Sequence, residues 1–149
     1  MGDGILAYFG YNDTKEDGDP LNAINAALEF RKQFSTLKAN FVQLCNELGM
    51  KRVRRFYLKC GMNIGYIHAH YFNTRSFNSV IFMGSTLNLA SRLEGIAKKD
   101  EIIISRRLKE VIEDQFEVTA ISVMRREGRL MKSFKREKVV YVIKAKRDG

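Results

Sequence analysis

Three places in the 149-residue sequence carry residue types whose spacing could do chemistry. The first is Gly2-Asp3-Gly4, where flanking glycines let a ligand approach the backbone and a carboxylate could hold a hard cation such as Mg²⁺. Gly-Asp-Gly is also an ordinary turn, and taken alone that is its first reading. The second is residues 84–92 (GSTLNLASR), where a strand ends in glycine and a hydroxyl-capped helix begins, leaving backbone N–H groups for an anion. Asn88 and Arg92 are four apart, so both project from one helix face, where an amide beside a guanidinium could grip a sugar oxygen and a phosphoryl group. A polar face opposite the apolar stripe of Leu89, Leu93 and Ile96 accounts for the same residues, and the two readings weigh about evenly. The third is Lys132 within LMKSF, which could neutralise a triphosphate but by itself is one of many surface lysines. His68 and His70, two apart on an expected strand, share a face. No third metal ligand suggests itself nearby, so exposed or hydrogen-bonded imidazoles are expected.

The elements that must position these residues follow from periodicity. Residues 4–9 (GILAYF) read as a short buried strand. Asp19 then reads as an N-cap with Pro20 at the first helical position. Ile24, Leu28, Phe34, Leu37, Phe41, Leu44 and Leu48 follow at helical steps, and Gly49 is placed to end the helix. Phe30, Phe34 and Phe41 at that spacing predict core packing. Residues 56–71 predict a long strand or a bent hairpin, 73–79 a turn, and 80–83 a short apolar strand. The helix after Gly84 should reach about Ala97. Residues 101–104 (EIII) predict a strand, with Ser105 capping a short helix through Val111. From 116 to 144 the alternation predicts antiparallel strands with a turn near Glu127 and Gly128. Strands and helices mix without a strict βαβα rhythm, which makes the class α+β, in one domain spanning residues 1–149.

Composition narrows the function classes. Hydrophobic residues make up 45% and charged residues 29% of the chain, ordinary for a globular protein with its own core. No apolar run reaches the length of a membrane span, and the two cysteines, Cys45 and Cys60, have neither metal-ligand nor redox spacing. A cytoplasmic setting is expected, either of the chain itself or as the cytoplasmic part of a larger protein. The net charge of +9 suits a polyphosphate, a nucleic acid or an anionic surface, with basic clusters at 51–55, 125–138 and 144–147. Few aromatics interleave with those clusters, so a platform for nucleic acid is not expected.

Five segments stand in an order that resembles one family, the catalytic domain of the class III adenylate/guanylate (nucleotidyl) cyclases. Residues 1–10 (MGDGILAYFG) look like the segment that carries the family's second metal-binding aspartate. Residues 56–65 (FYLKCGMNIG) resemble the strand ending in its Gly-x-x-x-Gly pattern, here Gly61 and Gly65. Residues 83–96 (MGSTLNLASRLEGI) are the best match, 101–105 (EIIIS) look like the strand that follows, and 130–142 (LMKSFKREKVVYV) resemble the closing segment. The resemblance implies a ferredoxin-like nucleotidyl cyclase fold, a mostly antiparallel sheet with helices packed on it. It implies a lyase of a signalling protein that forms cyclic nucleotide and pyrophosphate from ATP or GTP, with Mg²⁺ or Mn²⁺ as cofactor. It implies a head-to-tail dimer, of two copies or with another cyclase domain. By position, Asp3 matches the metal aspartate, Asn88 the ribose-orienting residue, Arg92 the residue that stabilises the α-phosphate, and Lys132 the contact to the terminal phosphates. Ile81 stands where the family reads the purine edge.

The departures from that pattern shape the expectation. The segments that match begin after the point in the family's pattern where its first strand, with the other metal aspartate, and the following helices stand. Ile81 offers no hydrogen bond, Ser85 replaces an aspartate, and His70, Asn73 and Ser133 replace glycines. A truncated cyclase domain that makes no product alone is expected, and a cyclase-like regulatory or dimerisation domain that still binds nucleotide is the alternative.

Overall fold

The computed structural model describes residues 4–10, 18–50, 56–74, 77–124 and 138–146. They fall into two compact units, Met1–Phe56 and Tyr57–Gly149.

In the first unit, helix α1 runs from Gly18 to Glu47. Its start agrees with the Asp19-Pro20 signal to within the one or two residues by which helix ends vary. At its end Gly49 N–H donates to Asn46 O and Met50 N–H to Cys45 O, both at 3.0 Å, the paired bonds of a Schellman motif. The expectation that Phe30, Phe34 and Phe41 form core is corrected: Phe30 and Phe41 are exposed and Phe34 is half-buried. Their rings pack instead as a row, with Phe56 edge-on to Phe34 at 5.8 Å and to Phe41 at 5.3 Å between centroids. Residues 4–9 are also corrected, since they form no strand and Ile5 is 81% exposed. Propensity favours a strand there, but a strand exists only through its ladder, and this segment joins no ladder among the described residues.

In the second unit, a four-stranded sheet has the order β1-β4-β6-β5, with β1 Lys59–Met62, β4 Glu101–Ile104, β5 Phe116–Ser122 and β6 Val139–Lys146. β1 and β4 are parallel, while β4–β6 and β6–β5 are antiparallel. The α+β class with a mostly antiparallel sheet is as expected. Parallel neighbours need a crossover, and it includes helix α2, Ser85–Ile96. Ile102, Ile103 and Ile104 are all fully buried, as in a strand covered on both faces. Leu93, Ile96 and Ala97 pack with Ile103, Val123, Val140 and Val142 as the core. Helix α3, Arg106–Ile112, is capped as expected, Ser105 Oγ accepting from Leu108 N–H at 3.3 Å.

Residues 56–71 are neither one strand nor a hairpin. β1 ends at Met62, and β2, His68–Thr74, pairs with β3, Phe77–Met83, in a separate antiparallel hairpin. The expected turn over 73–79 is shorter, because pairing continues to Thr74↔Phe77. The turn near Glu127 and Gly128 and the basic cluster at 51–55 lie outside the described residues.

Two local devices hold α2 against this frame, and a third fixes the register of the frame itself. A Cβ on Gly61 would lie 2.2 Å from both Ala90 O and Glu94 N, so the α2 backbone rests directly on β1. The start of α2 is clasped by the chain leaving β1: Thr86 Oγ1 donates to Tyr66 O at 2.7 Å, and Asn63 Nδ2 donates to Thr86 O at 3.1 Å. Asp100, at φ 59°, bonds Leu58 twice, its N–H donating to Leu58 O at 2.7 Å and its Oδ1 accepting from Leu58 N–H at 3.0 Å. That pair joins the entries of β1 and β4 and so fixes their register. Gly61→Ala should destabilise the chain by about 3 kcal/mol, because backbone cannot yield as a flexible side chain does; urea unfolding measures it. Thr86→Val should cost about 1 kcal/mol by removing one hydrogen bond. Thr86→Ser should retain most of the stability in the same unfolding measurement.

Candidate functional site

The site is built where β3 passes into α2. Gly84 joins them at φ 153°, ψ 161°, a backbone that residues with a side chain rarely adopt, and it serves as N-cap without any side-chain hydrogen bond. The sequence suggested a hydroxyl cap here. The structure uses the hydroxyl differently, because Thr86 Oγ1 reaches back to Tyr66 O. The N-terminal N–H groups of α2 are thus held in place without a capping side chain over them.

From this start the helix presents two faces. Leu93 and Ile96 are buried and Leu89 packs beside them, while Asn88, Ser91 and Arg92 are exposed. The backbone N–H of Asn88 donates to Gly84 O at 3.4 Å, which keeps the first turn helical up to the residue that matters. Asn88 and Arg92 are one turn apart on that exposed face, as the four-residue spacing requires. An amide and a guanidinium so placed can hold a hydroxyl and an anionic oxygen a few ångströms apart. Ile81 lies on β3, three residues before Gly84, and is 45% exposed. The structure therefore brings Ile81, Asn88 and Arg92 onto consecutive elements of one unit. Asp3 and Lys132 lie outside the described residues.

Among the described residues no group of three or more histidines, cysteines, aspartates or glutamates could hold a metal ion. The implied Mg²⁺ or Mn²⁺ therefore finds no ligand set within them. His68 and His70 sit exposed on one face of β2, as their spacing predicted. No described helix is long and apolar enough to cross a membrane. Asn63, Gly61 and Thr86 are the supporting residues that reasoning from sequence missed as positioners. Thr86 is visible as a helix-start hydroxyl, but its partner is a main-chain carbonyl twenty residues away, which no pattern announces.

With this geometry in view, comparisons with known proteins are informative. The family model for the adenylate and guanylate cyclase catalytic domain matches residues 2–145. Among solved structures the chain is similar to the guanylyl cyclase Cya2, with 24% identity, a TM-score of 0.75 and 96% of this chain covered. It is similar to the adenylyl cyclase CyaB from P. aeruginosa, with 23% identity, a TM-score of 0.73 and 93% covered. It is also similar to the guanylate cyclase domain of RhGC from Catenaria anguillulae in complex with GTP, with 22% identity, a TM-score of 0.68 and 93% covered. In each case it spans 66% of the other chain, just under two thirds. A search of curated protein sequences finds no match. At these identities the structures speak for the fold, and the family model, which covers nearly the whole sequence, settles the kinship: the chain belongs to the adenylate and guanylate cyclase catalytic domain family.

Proposed function

We propose that this chain is the nucleotide-gripping part of a single nucleotidyl cyclase domain in a signalling protein, working in a cytoplasmic setting. When complete, that domain forms cyclic nucleotide and pyrophosphate from ATP or GTP. The observation that carries the reading is the exposed pair Asn88 and Arg92 on a helix whose first turn is clasped to the chain that leaves β1. In this reaction the ribose 3′-oxygen attacks the α-phosphorus, the bond to the pyrophosphate oxygen breaks, and the hydroxyl proton leaves to solvent. Asn88 orients the ribose so that its oxygen lies in line, a positioning effect. Arg92 offsets the negative charge that builds on the α-phosphoryl oxygens, where a fixed cation is most effective. Lys132 meets the terminal phosphates, and Ile81 borders the base. Asp3 is the carboxylate assigned to Mg²⁺ or Mn²⁺, whose chemistry when bound is to polarise the reacting phosphate.

The active site of this reading is shared between two chains, two copies or this chain and another cyclase domain. The exposed apolar residues on one face of the β2–β3 hairpin, Tyr71 and Val80, support a partner there.

A second reading has a specific observation behind it. Residues 4–9, which follow Asp3, form no ladder, so the segment expected to hold the metal carboxylate is not built as a strand among the described residues. A domain in this state binds nucleotide without turning it over and acts through dimerisation or regulation.

The two readings meet in one measurement. The purified chain incubated with ATP or GTP and Mn²⁺ should make no appreciable cyclic nucleotide, while nucleotide binding by calorimetry persists and falls about tenfold or more in Arg92→Ala, since hydrogen bonds to charged groups contribute about 1.5–3 kcal/mol. Cyclic product that Arg92→Ala abolishes would show that the chain is already a complete catalyst. Absence of any nucleotide binding would refute both readings.

A further inference from the structure

Ile81 borders the base in the reading above, yet its side chain has neither donor nor acceptor for a purine edge. The hairpin register supplies one from the neighbouring strand. His70 is the direct cross-strand partner of Ile81, in an antiparallel ladder that pairs His68 with Met83 and Phe72 with Ser79. Directly opposed residues project from the same face with Cβ atoms about 4.5–5.5 Å apart. Residues two apart on one strand share that face as well. One face of the hairpin therefore carries His68, His70 and Phe72 beside Met83, Ile81 and Ser79. His68, His70, Phe72, Ile81 and Met83 are all exposed. Neither imidazole has a hydrogen-bond or ion-pair partner among the described residues.

We propose that His70 is the base-reading residue of the nucleotide site, with Ile81 and Phe72 as the apolar surface on which the purine rests. This rests on the reading that Ile81 borders the base. A neutral imidazole carries one N–H donor and one bare nitrogen acceptor, and the two exchange by tautomerisation. It can accept from the amino group of adenine, or donate to the carbonyl oxygen of guanine. A carboxylate in the same place only accepts and so cannot answer the carbonyl oxygen of guanine. A neutral imidazole answers both, so the site takes both purine nucleoside triphosphates with little preference. The apolar neighbours supply affinity for the base plane, which is common to both purines, and so do not alter this.

Calorimetric binding of ATP, GTP and inorganic tripolyphosphate to the full chain tests the assignment, with circular dichroism confirming that each variant is folded. The unsubstituted chain should bind ATP and GTP within about tenfold of each other. His70→Ala should weaken both by about three- to tenfold, the range one net hydrogen bond supplies, and leave tripolyphosphate unchanged. His70→Asn, whose amide also offers a donor and an acceptor, should restore part of the loss. An equal loss for tripolyphosphate, or unchanged nucleotide binding in His70→Ala, overturns the proposal. If Arg92→Ala abolishes nucleotide binding while His70→Ala does not change it, the cyclase reading stands and the role of His70 falls. If the unsubstituted chain binds none of the three, both fall.

Discussion

The contact on which the rest depends is the bare backbone approach of α2 to β1 at Gly61. A helix normally meets a sheet through side chains, at a distance set by their volume. Here there is no space for even one methyl group between Gly61 and the main chain of Ala90 and Glu94. The face of α2 toward the sheet is thus fixed by close packing, which has little capacity to drift. Asn88 and Arg92 come out on the opposite face as a consequence of that contact. The apolar core of Leu93, Ile96, Ile103, Val140 and Val142 then holds the helix down, but it does not set the distance.

Two further constraints complete the placement. The clasp at Thr86 fixes where along its axis the helix begins, and the Asp100–Leu58 pair fixes the register of β1 against β4. Distance, start and register together leave the exposed face of α2 no free adjustment relative to the sheet. In the proposed reading such rigidity suits groups that meet a reacting phosphate, since misplacement of about 1 Å can cost about a hundredfold in rate. Each of these bonds is modest by itself. Two of them act on α2 itself, and the third fixes the frame on which it rests.

How much of this was legible in the sequence depends on whether a residue's role is local. The EIII strand, the Ser105 cap, the Gly49 terminus and the extent of α2 all follow from neighbours within a few positions, and all appear as read. The spacing of Asn88 and Arg92 is likewise intrinsic to a helix. Residues 4–9 failed because a strand needs a partner, and propensity cannot supply one. Residues 56–71 read as continuous because strand-favouring residues such as Ile64, Tyr66 and Ile67 also fill the connection between β1 and β2. What parts them is the Asn63–Thr86–Tyr66 bonding, which joins segments about twenty residues apart in sequence. The phenylalanines of α1 have core spacing, yet they form an exposed row against Phe56, since periodicity names a face and not what covers it.

The hairpin carries the last step of the synthesis. A two-stranded ribbon is marginal alone in water, and this one exposes every residue of β2. Its two faces differ: one has Tyr71 and Val80 paired, the other has His68, His70 and Phe72 opposite Met83, Ile81 and Ser79. Large exposed apolar side chains on both faces mean that the ribbon is most stable when something lies against each. Under the proposed reading, the base of a nucleotide held at Asn88 and Arg92 lies on the face of Ile81 and His70. The other face carries Tyr71 and Val80, exposed apolar residues that in the same reading meet another chain. In that reading a single hairpin ties nucleotide binding to assembly, since whatever steadies one face steadies the strand pair that forms the other.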